Sequence, residues 1–241
     1  MRKGLLFTLV LVLAPVVAHA QIYQVGSGGN DGHSTVQFNV GYFALKGLDS
    51  RVADDVLLSD LQSGQPLVFE VKDFNGVHVG GEYLLGFGRV EDGVGLGFTQ
   101  RTVPSLYQNL THSNGSEIEQ DLKLRTIPVT FTVRFLPLER GSVVEPYFGA
   151  GIAAIRWRYS EVGEFVDAVD SSIFPARYTA DGTAVGPTVL GGIRAPVSNW
   201  TVGGEVRWQK AEGKGLLDAG FLGDKIDLGG WTTNFTVGVR F

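Results

Sequence analysis

The sequence predicts an all-β protein, namely an eight-stranded antiparallel up-and-down transmembrane β-barrel with four long extracellular loops and short periplasmic turns. Three observations predict this class. Segments of alternating apolar and polar residues recur eight times, their connections are long and short in turn, and one face of each segment is almost free of charge. No stretch beyond the first twenty residues holds 18 consecutive apolar residues, so the chain would cross a membrane only as a closed barrel.

The composition supports one large β domain and excludes several kinds of site. The 241 residues include 34 glycines and are 44% hydrophobic, which is unlike a disordered chain. The absence of cysteine excludes disulfides, cysteine-ligated zinc or iron–sulfur centres and a thiol nucleophile. The formal charge of −5 argues against a nucleic acid partner.

The first twenty residues have the pattern of an export signal. Arg2 and Lys3 precede an apolar stretch, and the small-residue sequence Ala18-His19-Ala20 follows it. The alternative is a membrane anchor, but the apolar stretch is shorter than the roughly 20 residues that a spanning helix needs. The predicted organisation is a cleaved signal peptide over 1–20, a periplasmic N-terminal segment over 21–33 and the barrel over 34–241.

Eight segments of about ten residues form the predicted strands, which is the length that a tilted strand needs to cross a bilayer. In chain order they cover 36–44, 77–88, 94–101, 127–135, 147–159, 185–194, 202–209 and 231–241. The fifth is ambiguous, because both faces of its middle are small or apolar. We interpret it with Tyr147, Trp157 and Tyr159 on the lipid side and Arg156 and Arg158 inside.

The connections carry independent information on the fold. Predicted long loops cover 47–75, 105–120, 161–182 and 211–226, and predicted short turns cover 91–92, 137–143 and 196–199. Strict alternation of long and short connections is typical of outer-membrane barrels, which place their long loops outside the cell. A secreted β-sandwich or soluble barrel is the alternative, and it has no reason to collect its long loops at one end.

Charged residues gather on the face of the strands that a membrane barrel turns inward. The predicted polar network of the lumen comprises Glu82, Arg101, Arg134, Arg156, Glu205, Arg207 and Arg240. A two-residue turn at Glu91-Asp92 would place Glu82 directly opposite Arg101. Buried charges must be paired, since each would otherwise cost several kcal/mol. We interpret the network as a plug that fills the barrel, with a gate or permeation path as the alternative.

Two sequence features resemble a known group, the eight-stranded outer-membrane β-barrels of the OmpW, OmpA and OmpX type. The sequence 233–241 ends in Phe241, and the segments 126–131 and 146–151 are similar to the central hairpin of OmpW-like barrels. The resemblance implies location in the cell outer membrane, contact with its lipid and lipopolysaccharide, and a monomer. It also implies that the assembly machinery recognises the last strand through Phe235, Val237, Val239 and Phe241.

The expected function is that of a structural or narrow-pore barrel, which supports outer-membrane integrity or passes small solutes. Because acidic residues outnumber basic ones in the long loops, a surface module that binds a ligand or cation is the alternative. A lipid-modifying enzyme is a third hypothesis. However, His33, His78 and His112 lack a carboxylate at a spacing that would identify a catalytic triad, so we expect no catalytic residue, cofactor or dedicated metal site. A short amphipathic helix is predicted over 52–61.

Overall fold

The computed structural model of the chain describes residues 33–138 and 140–241. The predicted signal peptide and nearly all of the predicted periplasmic segment therefore lie outside the described residues. Within the described ranges, no helix combines the length and the apolar character needed to cross a membrane.

Eight long strands in the described part of the chain form one closed antiparallel ring. Each strand pairs with the next along the chain, and the last pairs with the first. The predicted barrel is thus confirmed. The strands are β1 (His33–Leu45), β2 (Gly76–Phe87), β3 (Val90–Thr111), β4 (Glu117–Phe135), β5 (Glu145–Val166), β6 (Ile173–Val197), β7 (Trp200–Gln209) and β8 (Gly230–Arg240).

The β2–β3 turn lies at Gly88-Arg89, so the prediction of a turn at Glu91-Asp92 is wrong. Gly88 has a φ of +57°, a conformation that tight hairpin turns require and that glycine adopts without steric cost. Phe87 consequently pairs with Val90, and Glu82 pairs with Gly95 instead of Arg101.

Two of the four predicted long loops consist mostly of strand. Strands β3 and β4 extend to a short connection at 112–116, and β5 and β6 extend to one at 167–172. The first and fourth loops, 46–75 and 210–229, are long as predicted. They contain the helix α1 (Val56–Gln62), the short strands Leu67–Val68, Glu212–Lys214 and Lys225–Asp227, and the 3-10 helices Leu48–Ser50, Val71–Phe74 and Leu217–Ala219.

A belt of exposed apolar side chains surrounds the half of the barrel near the short turns. Members on every side of the ring include Phe38, Val79, Leu96, Phe131, Ile152, Val189, Val206 and Phe235. On β4 the outward series is apolar from Phe135 to Ile127 and becomes charged at Arg125 and Lys123. Large apolar side chains exposed on every face of a closed barrel are what lipid requires. The belt therefore marks the membrane-spanning part.

At the height where the outer face changes from apolar to charged, the inner face changes from polar to apolar. Within the belt, the inward residues of β4 are Arg134, Thr132 and Thr130, whereas beyond the belt they are Leu124 and Leu122. The part of the barrel beyond the belt encloses a hydrophobic core, as a water-soluble barrel does. The core also includes Phe43, Leu57, Phe74, Ile155, Trp157, Tyr159, Phe221 and Ile226, and thus takes in both long loops.

This reversal corrects the interpretation of the fifth strand. Trp157 and Tyr159 are buried inside the barrel, while Arg156 and Arg158 point outward into water beyond the belt. Tyr147 is likewise buried inside, at the level of the belt. The interpretation assumed one chemistry for the whole outer face, but outside the lipid an exposed arginine and a buried tryptophan are the favourable arrangement.

Candidate functional site

Four charged side chains from three strands, β2, β4 and β7, meet in the middle of the lumen, and we call them the central layer: Glu82, Arg134, Glu205 and Arg207. Arg134 contacts Glu82 and lies 3.0 Å from Glu205 Oε2. Arg207 Nη2 lies 3.0 Å from Glu82 Oε2 and 2.9 Å from Glu205 Oε1. Each cation thus touches both carboxylates, and the formal charges cancel within a layer that is buried except for part of Arg207.

Neutral side chains add hydrogen bonds to both carboxylates and to Arg207 in the central layer. Thr132 Oγ1 donates to Glu82 Oε1 at 3.0 Å, and Tyr147 OH donates to Glu205 Oε2 at 3.2 Å. Arg207 Nη1 also donates to Thr130 Oγ1 at 3.2 Å. Because these donors and acceptors come from separate strands, the bonds tie opposite walls of the barrel together. Buried ion pairs are retained only where such additional bonds satisfy them.

A second group of charges closes the lumen at the turn side, and we call it the periplasmic layer: Glu91, Glu145, Arg194 and Arg240. Arg194 binds Glu91 through two nitrogen atoms, at 2.9 Å and 2.5 Å, and binds Glu145 Oε2 through Nε at 2.9 Å. Arg240 also contacts Glu145. The ring of Tyr147 separates the two layers, with a guanidinium carbon of Arg134 at 4.9 Å from its centroid and that of Arg194 at 5.6 Å.

The space that remains in the lumen above the central layer is small. A cavity of about 20 Å³ lies between Glu82, Arg207, His78 and Gln209. A volume of this size holds about one water molecule. The side chains of the central and periplasmic layers together fill the lumen at their height and leave no path for a solute among the described residues.

Four of the predicted network residues meet as expected, namely Glu82, Arg134, Glu205 and Arg207. Arg240 also faces the lumen but belongs to the periplasmic layer. The prediction is wrong for the remaining two. Arg101 is exposed six residues beyond Gly95 and donates from Nε to the carbonyl of Asp73 at 3.1 Å, and Arg156 points outward.

The predicted network did not include three members of the periplasmic layer, namely Glu91, Glu145 and Arg194. Glu91 was assigned to a turn, although its spacing from Gly93 and Gly95 places it on the same inward face. Glu145 is the first residue of β5 and has the parity of Tyr147, so it would have been found had the faces of that strand been assigned correctly.

The two long loops are locked into the extracellular mouth by a buried ion pair. Arg51 binds both oxygen atoms of Asp55, at 3.0 Å and 2.9 Å, and donates to the carbonyl of Asp227 at 3.0 Å. Asp55 also accepts from the backbone of Leu57, which caps α1, and from that of Asp227 at 2.7 Å. Since Asp55 and Asp227 are wholly buried, this cluster holds the first loop against the fourth.

A cavity of about 470 Å³ opens beside this cluster, and we call it the mouth cavity. Its deep wall carries two acids, Asp60 of α1 and Glu161 of the part of β5 beyond the belt. Burial, and secondly the charge of Glu161, raises the pKa of Asp60 to about 9. Burial raises the pKa of Glu161 to about 7. The exposed residues Gly64, Ala168 and Leu222 also line the cavity, so it is open to the outside.

Cationic side chains lie on the outer wall just beyond the belt, and we call them the cationic surface: Lys123, Arg125, Arg156, Arg158 and Arg177. Arg125 is directly opposite Arg158 in the β4–β5 pairing. A recess of about 250 Å³ is bordered by four of the five, all except Arg156. Asp181 contacts Arg156 and lies 3.9 Å from Arg158, which balances part of the charge.

Two of the described histidines, His78 and His112, make structural contacts with neighbouring side chains. His78 Nδ1 lies 3.1 Å from Thr99 Oγ1 inside the barrel, and His112 Nε2 lies 2.8 Å from Glu164 Oε2 beside the β3–β4 loop. Within the described ranges, no three histidine or acidic side chains are grouped as metal ligands would be. The final strand β8 pairs with β1 and β7, and it exposes Phe235 on its outer face. Phe241 follows directly after the strand and is exposed as well.

Comparisons with known proteins find similarity in fold alone. No model of a protein family matches the sequence, and no curated protein matches it. The outer membrane protein OprG from Pseudomonas aeruginosa is 13% identical, with 89% of this chain and 98% of that chain covered and a TM-score of 0.49. Outer Membrane Protein W of E. coli is 18% identical, with 89% and 100% covered and a TM-score of 0.38. Neisserial surface protein A is 13% identical, with 88% and 98% covered and a TM-score of 0.43.

The closed ring of eight strands and the apolar belt around it identify the chain as an outer-membrane β-barrel. This agrees with the resemblance that the sequence indicated. By the same architecture, the short turns face the periplasm and the mouth cavity faces the outside of the cell.

Proposed function

We propose that the chain is a structural barrel that keeps its lumen closed and supports the integrity of the outer membrane. The observation that carries this proposal is the pair of charged layers, which join opposite walls of the barrel through ion pairs between several strands. Of the two functions expected from the sequence, support of the membrane and passage of small solutes, this geometry favours the first. A permeation path would have to break several buried ion pairs at once, and each is costly to break.

The cationic surface supports a direct contact with lipopolysaccharide. Its side chains stand just outside the belt, which is the height of the phosphate groups of the outer leaflet. Guanidinium groups bind phosphate through two parallel hydrogen bonds, and a cluster of them holds anionic lipid more strongly than single charges do. Binding of phosphates by Arg125, Arg158 and their neighbours would link the barrel to the lipid around it.

The C-terminal strand supports the proposed recognition by the assembly machinery. Phe235 and Phe241 are 58% and 68% exposed, while Val237 and Val239 are half-buried on the same face. A strand that presents an aromatic edge to lipid offers the machinery an accessible signal. We propose a monomer that is inserted through this strand.

Conductance in planar lipid bilayers tests the closed lumen. We expect the refolded full chain to show no steady open conductance, after insertion has been verified by its heat-modifiable migration on denaturing gels. A large and steady conductance would contradict the proposal and would favour the narrow-pore alternative.

The lipid contact needs its own test in cells that lack the chain. We expect them to take up more of a hydrophobic dye and to recover when the unchanged protein is supplied. The variant Arg125→Gln/Arg158→Gln should restore the barrier less well. Lys72→Gln is the matched control, because Lys72 is exposed in the first loop, away from the belt. Equal recovery with all three proteins would refute the role of the cationic surface.

Binding of a ligand at the cell surface is the second candidate function, and the mouth cavity is the observation that favours it. No catalytic role is proposed. His112 lies in a loop outside the lipid and is paired with Glu164, and His78 contacts a threonine of the lumen.

A further inference from the structure

Polar atoms without partners line the mouth cavity. Asp60, Gln120 and Glu161 are only 3%, 3% and 6% exposed. Asp60 Oδ2, Gln120 Oε1 and Glu161 Oε1 have no hydrogen-bond partner among the residues that the structure describes. The amide nitrogen of Gln120 donates to the carbonyl of Glu164 at 3.0 Å, which fixes its oxygen as the remaining acceptor. The buried hydroxyl of Tyr159, which faces both acids, also lacks a hydrogen-bond partner in the described part of the chain. Buried polar atoms with unused hydrogen-bonding capacity are costly, so this wall of the cavity favours a polar ligand group.

The other walls of the cavity are aromatic. The rings of Phe165 and Tyr178 meet edge to face at 4.8 Å, and those of Tyr178 and Phe221 meet at 6.2 Å. Phe174 and Tyr107 extend this wall. Aromatic faces attract cations and also pack against apolar groups. A volume of about 470 Å³ lies within the range of small-molecule sites.

We propose that the mouth cavity binds a small organic cation, specifically a primary ammonium carried on an apolar body. An ammonium group has three donors for these oxygen atoms, and its positive charge stabilises the ionised forms of Asp60 and Glu161, which burial otherwise disfavours. The aromatic wall would hold the apolar body. This inference goes beyond the proposed structural function and does not depend on it, since it concerns residues outside the membrane.

The alternatives fit the walls less well. The cavity wall carries only two carboxylates, and the described residues contain no cluster of three acidic or histidine side chains that would favour a metal ion. A neutral apolar ligand would leave the three acceptors without partners. Only a ligand with a cationic donor at one end and an apolar surface at the other uses both kinds of wall.

The raised pKa values give the proposal a pH signature. A cation favours ionised acids, so it competes with the proton that Glu161 carries below its pKa of about 7. Affinity should therefore rise with pH. Between pH 6 and pH 8 the ionised fraction of a group with this pKa grows about tenfold, so ionisation of Glu161 accounts for a gain in affinity of up to about tenfold. A primary alkylammonium probe stays charged across this range.

Calorimetry on the full chain in lipid nanodiscs tests the inference, with phenethylammonium as the probe and protein-free nanodiscs as the blank. We expect the probe to bind and Glu161→Gln to weaken binding tenfold or more. Glu119→Gln is the matched control, because Glu119 lies next to Gln120 but points outward into solvent, so it should bind as the unchanged protein does. Folding of each variant is checked by heat-modifiable migration.

Two further ligands separate the alternatives, even if a variant were to misfold. Phenethyl alcohol has the same body without the charge, and we expect it to bind at least tenfold more weakly to the unchanged protein. Equal binding of the alcohol would overturn the proposal in favour of a neutral apolar ligand. Displacement of the probe by calcium chloride would overturn it in favour of a metal site. Heats equal to the blank, or affinity that does not rise with pH, would also overturn it.

Discussion

Replacement of Arg134 by methionine provides the strongest test of the central layer. The side chain of Arg134 extends from β4, is wholly buried and contacts both Glu82 and Glu205. Methionine keeps a similar length but removes the charge, so both carboxylates must then share Arg207. Removal of one partner from a buried ion pair costs about 3–5 kcal/mol, and we expect a loss of this size in the free energy of unfolding.

A double-mutant cycle assigns this loss to the pair itself. Glu82→Gln should also destabilise the barrel, because it leaves two guanidinium groups with one carboxylate. The double variant Glu82→Gln/Arg134→Met has no unpaired charge of this kind and should cost about 2 kcal/mol less than the sum of the singles. The cycle of Glu82→Gln with Arg101→Met is the control. Since Arg101 is exposed and does not contact Glu82, we expect additivity within about 0.5 kcal/mol.

Urea-induced unfolding in lipid vesicles supplies the free energies. Trp200 and Trp231 are exposed on the belt, so tryptophan fluorescence reports whether the barrel is embedded in lipid. Additivity for the pair Glu82 and Arg134, together with coupling between Glu82 and Arg101, would refute the Gly88-Arg89 turn and restore the register predicted from the sequence.

Three further predictions concern the turn, the mouth and the last strand. Gly88→Ala should cost about 1–2 kcal/mol in the same unfolding assay because its φ is +57°, whereas Gly47→Ala, at a φ of −63° with no atom near the added methyl, should change nothing measurable. Asp55→Ala should accelerate proteolysis in the two long loops and leave the strands protected, because the first loop loses its contacts with the fourth. An unchanged rate of cleavage would show that Asp55 does not hold the two loops together. Phe241→Ser should lower the amount inserted in cells without changing refolding into detergent, and equal loss in both would indicate a general folding defect.

The membrane-spanning half of the fold was predictable because lipid imposes a simple rule on it. On β4 every second residue from Ile127 to Phe135 is apolar and most residues between are polar, so the strand and its two faces followed from alternation. Its direction followed from the alternation of long and short connections. The central layer followed in large part for the same reason, since charged side chains on such a strand have to point away from lipid.

The predictions were wrong where the alternation imposed by lipid does not decide the structure, namely at the hairpin turn and beyond the belt. The β2–β3 hairpin has alternation on both sides of its turn, so alternation alone could not choose between Gly88-Arg89 and Glu91-Asp92, and the register depended on the backbone preference of one glycine. Beyond the belt, water replaces lipid, and Trp157 became core while Arg156 became surface. The mouth cavity could not be predicted from the sequence for another reason. Asp60 and Glu161 are about 100 residues apart, and only the folded loops bring them together.

The abrupt change of chemistry on the outer wall gives the barrel a preferred depth in the bilayer. On β4 the apolar series covers eight residue steps, which at about 3.4 Å each and a tilt of about 40° corresponds to a height of about 21 Å. A thicker membrane would draw Arg125 and Lys123 into hydrocarbon. The free-energy cost of this exceeds the free energy needed to thin the lipid by a few ångströms. The lipid next to the protein therefore adapts to the chain, so that each barrel imposes a local thickness on the outer membrane around it.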